Sequence, residues 1–313
     1  MLFSAFVLSA VVTAPLLGPS VGNADVLSSQ GATLYNQKQY AQAAEKLLRS
    51  IYANPTSMGP YLMLARSQLA DKQVAQACAT YRAYLKAAPP SLDRDKAQKE
   101  MELCERQRAA AGAKALTLES ATDARRDFFG ALSEGRLLGD ASASAILRQL
   151  VARGYIGADL AEMAAKLHSA ALAAAEALHA KAIAREALTP EQVGQGHLLF
   201  ELAHDVGTPA PRSAARASFL RGVTALNAGD GAKAEDLFAK AADADPSTRD
   251  YTSFRALAVY ARGDKTGALR IFETHLPDDP RTGALRAELA LSASPEAGAA
   301  ELERVLFQQQ LPR

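Results

Sequence analysis

Pro55 and Pro89 stand 34 residues apart, and so do Pro246 and Pro280. A spacing that recurs at both ends of a chain points to a fold built from repeated units of that length. The residues before each proline repeat as well. GATLYNQKQYAQAAEKLLRSIYANP places Gly31 and Leu34 on a first helix, Tyr40 at a turn, and Ala43 and Leu47 on a second helix. Leu64, Ala65, Ala77 and Tyr81 precede Pro89 at matching offsets. Near the other end, Gly222, Ala225, Ala234, Phe238 and Ala241 precede Pro246, and Ala256, Val259, Gly263, Ala268 and Phe272 precede Pro280. Each unit reads as a helical pair closed by its proline. Small residues sit where the two axes cross, and larger apolar residues surround them. Neither helix of such a pair buries its apolar stripe alone, so pairs must stack on one another.

This pattern resembles the tetratricopeptide repeat. The resemblance implies an all-α fold, an α-solenoid of helical hairpins in two blocks. The register between the blocks is broken, because Pro89 and Pro246 are 157 residues apart, which is not a multiple of 34. The expected organisation is therefore a signal peptide over 1–24, an N-terminal block of two repeats and a capping helix over 25–112, an irregular helical middle over 113–211, and a C-terminal block of about three repeats over 212–313. Composition agrees with helices: the chain is rich in Ala, Leu, Glu, Lys and Arg, and it has no Trp. The balance of 35 basic and 34 acidic residues gives a net charge of +1, so no global field favours nucleic acid.

The resemblance also implies a use. First helices of such pairs line a concave groove for a protein or peptide partner. Here that implies Tyr35, Asn36, Leu62, Met63 and Arg66 in the first block, and Phe219, Val223, Asn227, Phe254, Leu257 and Tyr260 in the second. At any one of these positions the alternative is a core residue. The clamp for a C-terminal carboxylate that co-chaperone members use is not expected, since its places hold Ser28, Ala32 and Met63. In the second block, Gly229-Asp230 and Gly263-Asp264 are expected at the turns between helices. A third pair, with its turn at Ser292-Ala293-Ser294-Pro295 and its end at Pro312, is expected to follow.

Residues 2–18 form an uncharged apolar run broken by Pro15 and followed by Gly22-Asn23-Ala24. That is the layout of a secretory signal cut before Asp25, without the usual leading basic residue. An uncleaved anchor is the alternative, though the run is shorter than the roughly 20 residues that span a bilayer. Export to a bacterial-type envelope would place the chain in an oxidising compartment. The two cysteines, Cys78 on the second helix of the second repeat and Cys104 late on the capping helix of about Leu92–Arg108, could then form a disulfide. Two buried, reduced thiols are the alternative.

The middle reads as helices over about 121–138, one capped by Asp140, a long one over about 158–187, and one opened by Thr189-Pro190-Glu191-Gln192. Gly207-Thr208-Pro209-Ala210-Pro211 reads as a linker. On the long helix Leu160, Ala164, Leu167, Ala171, Ala174 and Leu178 form a narrow seam, expected to pack within the monomer or, alternatively, in a dimeric coiled coil.

No enzyme and no cofactor are expected. The chain has no phosphate-binding loop, nucleophile elbow, HExxH or CxxC, and Gly194-Gln195-Gly196 lacks the rest of a dinucleotide fingerprint. His197, Glu201 and His204 share a helical face. The two histidines are about 10 Å apart along the axis at 1.5 Å per residue, too far for one metal ion without distortion. His168 and His179 read as partly exposed helix residues. The functional expectation is a protein-interaction scaffold of the cell envelope. The alternative is an envelope enzyme of the cell-wall hydrolase type, with its site in residues 113–211.

Overall fold

A computed structural model describes residues 21–90, 92–116, 120–208 and 210–293. These residues form fourteen helices and no strand. In chain order they are α1 (Val21–Asn36), α2 (Tyr40–Ala53), α3 (Gly59–Ala70), α4 (Val74–Ala87), α5 (Leu92–Ala110), α6 (Ala121–Ser133) and α7 (Ala143–Ala152). α8 (Asp159–Ile183), α9 (Pro190–Val206), α10 (Ser213–Asn227), α11 (Gly231–Ala244), α12 (Arg249–Ala261), α13 (Lys265–His275) and α14 (Pro280–Ala293) follow. The described residues up to 116, with 156–165, form one compact unit; 120–155 with 166–293 form a second.

In the N-terminal unit α1 pairs with α2 and α3 with α4, and α5 packs on α4. The crossing of α1 and α2 is tight because Gly31 has no side chain: a Cβ there would fall 2.6 Å from Leu47 Cγ. Leu47, Ile51, Tyr61, Leu64 and Tyr81 are buried around the crossings. The Tyr61 hydroxyl donates to the Pro55 carbonyl, which ties the loop after α2 to α3. Cys78 and Cys104 are joined in a disulfide that links α4 to α5. α1 begins at Val21, so the expected signal cut falls inside it. Ala24 is buried, and its carbonyl accepts from Ser50 Oγ at 2.8 Å. Residues 1–20, which carry the apolar run, lie outside the described residues, as do 294–313, which carry Pro295, Pro312 and most of the expected third pair.

Four turns between paired helices share one backbone solution. After α10 and α12 the chain turns through Gly229 (φ 79°) and Gly263 (φ 89°). After α1 and α3 it turns through Lys38 (φ 61°) and Lys72 (φ 64°). In each case the next amide reaches back five residues: Gln39 to Leu34, Gln73 to Gln68, Asp230 to Ala225, and Asp264 to Val259. This is the Schellman arrangement, whose left-handed residue is ordinarily glycine. Lysine there costs about 1 kcal/mol relative to glycine. The second block also caps its next helices, with Asp230 accepting from the Lys233 amide and Asp264 from the Gly267 amide, while Gln39 and Gln73 make no side-chain cap. Tyr40, expected at the turn, is already the first residue of α2.

Three other expectations need correction. Pro280 does not close α13. That helix ends at His275, and Pro280 is the first residue of α14, where its missing N–H costs nothing. The helix-ending place, two residues past the last helical one, is held by Pro277, as it is by Pro55, Pro89 and Pro246 after α2, α4 and α11. α13 is accordingly 11 residues long where those three have 14. The helix after residue 121 ends at Ser133, because Gly135 turns left-handed (φ 70°). The cap of α7 is Ser142, whose hydroxyl accepts from the Ala145 amide, and Asp140 lies outside the helix. At α9 Thr189 and Gln192 form a reciprocal capping box with Pro190 in the first turn.

Candidate binding surfaces

The first helices of the N-terminal unit present two kinds of residue. Leu62 is 6 % exposed and belongs to the core. Tyr35, Met63 and Arg66 are half-buried and Asn36 is exposed, and the Tyr35 ring packs against Tyr40 at 5.5 Å. Arg66 is not a free cation. Its Nε donates to Glu100 Oε2 at 2.9 Å and its Nη2 to Oε1 at 3.1 Å, a fork onto α5. The Tyr81 hydroxyl donates to the same carboxylate at 3.1 Å. Burial, and then the charge of Glu100, push the Tyr81 phenol up, so it stays a neutral donor. The expected capping helix, α5, therefore turns one acid toward α3 and α4. Of the expected contact residues, those left at the surface on α1 and α3 besides Arg66 are Tyr35, Asn36 and Met63, an aromatic, an amide and a thioether.

In the C-terminal unit the stripe Phe219, Val223, Asn227 runs down α10 at four-residue spacing, with Phe254, Leu257 and Tyr260 beside it on α12. Its upper end is closed. Phe219 is fully buried, with ring centroids of Phe254, Tyr251, His179 and Phe238 at 4.9, 5.1, 5.4 and 5.6 Å. Phe254 is 8 % exposed. Both were expected to face a partner, and both are core. The covering element is α8, the long alanine-rich helix. His179 Nε2 lies 3.0 Å from the Tyr251 hydroxyl on α12. Glu176 forms an ion pair with Arg216 on α10. Just past the helix, Arg185 lies 5.3 Å over the Phe254 ring and donates to Ser253 Oγ at 3.3 Å. Toward its start, His168 Nδ1 donates to the Ala203 carbonyl on α9 at 2.8 Å. The lower end of the stripe is more open: Val223 and Leu257 are half-buried, and Asn227 and Tyr260 are exposed. The Tyr260 hydroxyl donates to Glu288, which also accepts from Lys265.

His179 is partly exposed, as expected, and its ring also packs against Phe219 and Tyr251 of the C-terminal unit. Burial and then the Arg216 charge push its pKa down to about 4, with Asp245 opposing. Tyr251 faces it as a phenol raised by burial to about 12, and so does not titrate near neutrality. A folded pKa below the unfolded value near 6.5 means that acid protonates the unfolded chain first. Stability is then undiminished above about pH 7 and falls as pH drops from about 6.5 to about 4. Discounted for partial exposure, His179 should cost about 1–2 kcal/mol between pH 7 and pH 5. Urea unfolding at the two pH values should show that loss in the wild type and a flatter profile in His179→Gln. Equal slopes would place the titration elsewhere.

The row of possible metal ligands is engaged otherwise. Glu201 pairs with Arg221, and the half-buried His197 is shifted down by burial and by Arg221. Among the described residues no group of three His, Cys, Asp or Glu could hold a metal ion. No helix among them is long and apolar enough to cross a membrane.

Residues 201–248 and 219–284 match the family model described as tetratricopeptide repeat. No curated protein matches the chain in sequence. Among solved structures it is similar to a tetratricopeptide repeat protein from Parabacteroides merdae, with 12 % identity, 91 % of this chain and 93 % of that one covered, and a TM-score of 0.29. It is similar also to a thermophilic TPR protein of Thermus thermophilus, with 17 % identity, 89 % and 98 % covered, and a TM-score of 0.25. A third is the TPR2AB domain of yeast Sti1 in a pHSP90 complex, with 14 % identity, 91 % and 99 % covered, and a TM-score of 0.24.

Proposed function

Since the chain carries tetratricopeptide repeats, matched over residues 201–284, we propose that it is a protein-interaction scaffold of an oxidising, envelope-type compartment that takes a partner peptide or helix on the first-helix face of its N-terminal unit. The observation that carries this reading is the state of that face. Tyr35, Asn36 and Met63 remain at the surface on α1 and α3, while Leu47, Leu64 and Tyr81 fill the crossings behind them. Preformed helical pairs hold such side chains in place, which lowers the ordering cost of a bound segment. Arg66, neutralised by Glu100, positions the face rather than attracting an acidic partner. The aromatic and thioether groups are of the kind that anchor a helix or an extended peptide.

Export is supported by the Cys78–Cys104 bridge, since disulfides persist in oxidising compartments, and by the apolar run of residues 2–18. The reading is tested with the double variant Tyr35→Ser, Met63→Asp in the native host. Recovery of the partner crosslinked to wild type should fall at least tenfold, with the melting temperature and helix content unchanged. Undiminished recovery would remove this face from consideration.

A further inference from the structure

The seat of α8 on the C-terminal unit has the form of a bound ligand. Over residues 171–183 the helix offers small side chains, with Ala171, Ala175 and Ala182 buried, and so covers little apolar area per residue. Its side-chain contacts are largely polar: the Glu176–Arg216 pair is 32 % and 28 % exposed, His179 meets the Tyr251 hydroxyl as well as the Phe219 ring, and Arg185 meets a hydroxyl and a ring face. The hairpin crossings beneath it are of another kind, with Phe238 and Phe272 buried against small residues of their partner helices. The surface that α8 covers is made by α10 and α12, the first helices of the two repeats. The stripe it covers continues past it to Val223, Leu257, Asn227 and Tyr260, which are half-buried or exposed and offer an incoming segment a place to start.

We propose that this groove is a helix-binding site occupied in cis by α8, and that a partner helix with an alanine-rich face and a carboxylate opposite Arg216 binds it by taking the place of residues 171–185. The inference rests on the reading of first-helix faces as binding surfaces, extended from the N-terminal unit to the second. It commits the occupant to a helix, because the groove already holds one, and to an acid, because Arg216 would otherwise lose its counter-charge. A tethered helix competes at an effective concentration in the millimolar range, so a free helix gains the groove only where the cis contacts are weakened or its own are stronger.

The probe is a labelled synthetic peptide of residues 166–186, titrated onto the full chain. Wild type should show no binding at micromolar peptide. The chain carrying Glu176→Ala and His179→Ala should bind at least tenfold more tightly. Adding Arg216→Glu to that chain should abolish the gain, and a peptide carrying Glu176→Arg should restore it. A loosened chain that melts cooperatively but takes up no peptide overturns the proposal, as does uptake that is insensitive to Arg216→Glu. If the loosened chain does not fold, hydrogen exchange in the wild type decides. Amides of residues 172–183 exchanging at least tenfold faster than those of α10 and α11 support a releasable helix, and equal protection overturns it. Partner capture at Tyr35 and Met63 is measured independently. Failure here with that capture intact removes the second site alone, whereas loss of both removes the binding reading itself.

Discussion

Phe219→Ala should destabilise the C-terminal unit by about 3–5 kcal/mol, near the top of the range for single substitutions. The ring is fully buried, and four other rings surround it within 4.9–5.6 Å. Truncation forfeits the transfer energy of the ring, leaves a cavity that neighbouring helices cannot close without shifting, and breaks edge-to-face contacts with Phe254 and His179 worth about 0.5–1.5 kcal/mol each. The measurement is urea unfolding followed by circular dichroism, with Val223→Ala, one turn along the same stripe but half-buried, as the comparison. The expected result is a large midpoint shift for Phe219→Ala and a small one for Val223→Ala. The outcome separates two accounts of one residue. A groove contact would weaken partner binding and leave the midpoint alone, whereas a core residue does the reverse.

Removing the Cys78–Cys104 bridge should cost about 3.5 kcal/mol, the chain-entropy value for a closed loop of this length. The sequence separation is 26, and both cysteines are fully buried at the junction of α4 and α5. Cys78→Ala with Cys104→Ala is the suitable pair, since serine would add a buried hydroxyl. The double variant should unfold at lower urea than wild type, and dithiothreitol should lower the wild type toward the variant while leaving the variant unmoved. A wild type indifferent to reductant would mean that the bridge carries no stability. The effect bears on function, because α5 supplies Glu100, which holds Arg66 and Tyr81 behind the proposed binding face.

The repeat, its helical pairs and the broken register between blocks were legible because they rest on spacing. Gly31 and Gly222 could be recognised as crossing residues, and the structure shows why: a Cβ on either would meet Leu47 or Phe238 at 2.6 Å. Spacing misled at Pro280, where a 34-residue interval coincides with a helix start, since proline suits both the place after a helix and its first turn. The turns at Lys38 and Lys72 escaped notice because the expected mark of a left-handed residue is glycine, and neighbouring hydrogen bonds hold lysine there at a modest cost.

The candidate sites were less legible, for a different reason. Helical periodicity tells which face of a helix is apolar, but not what covers it. Phe219 and Tyr35 lie on the same face of their first helices, two turns apart in the repeat, yet α8 lies over Phe219 and leaves it no exposure, while Tyr35 stays half-exposed. The seam Leu160, Ala164, Leu167, Ala171, Ala174, Leu178 marked α8 as a packing helix without naming its seat. Of that seam Leu160, Ala164, Leu167 and Ala171 are fully buried, while Ala174 and Leu178 are only half-buried. A hint lay in the order of residues: Glu176 and His179 in the alanine- and leucine-rich second half of α8, with Arg185 just past its end, offer the groups that Arg216, Tyr251 and Ser253 can receive.

The central claim, that the first-helix face of the N-terminal unit receives a protein partner, is tested most directly by site-specific photocrosslinking in the native host. A photoreactive residue is placed at Asn36 or at Met63, with the exposed Lys86 at the end of α4 as the comparison. The account predicts the same protein adduct from Asn36 and Met63 and none from Lys86. No adduct from either face position, or equal yields from all three, would contradict it.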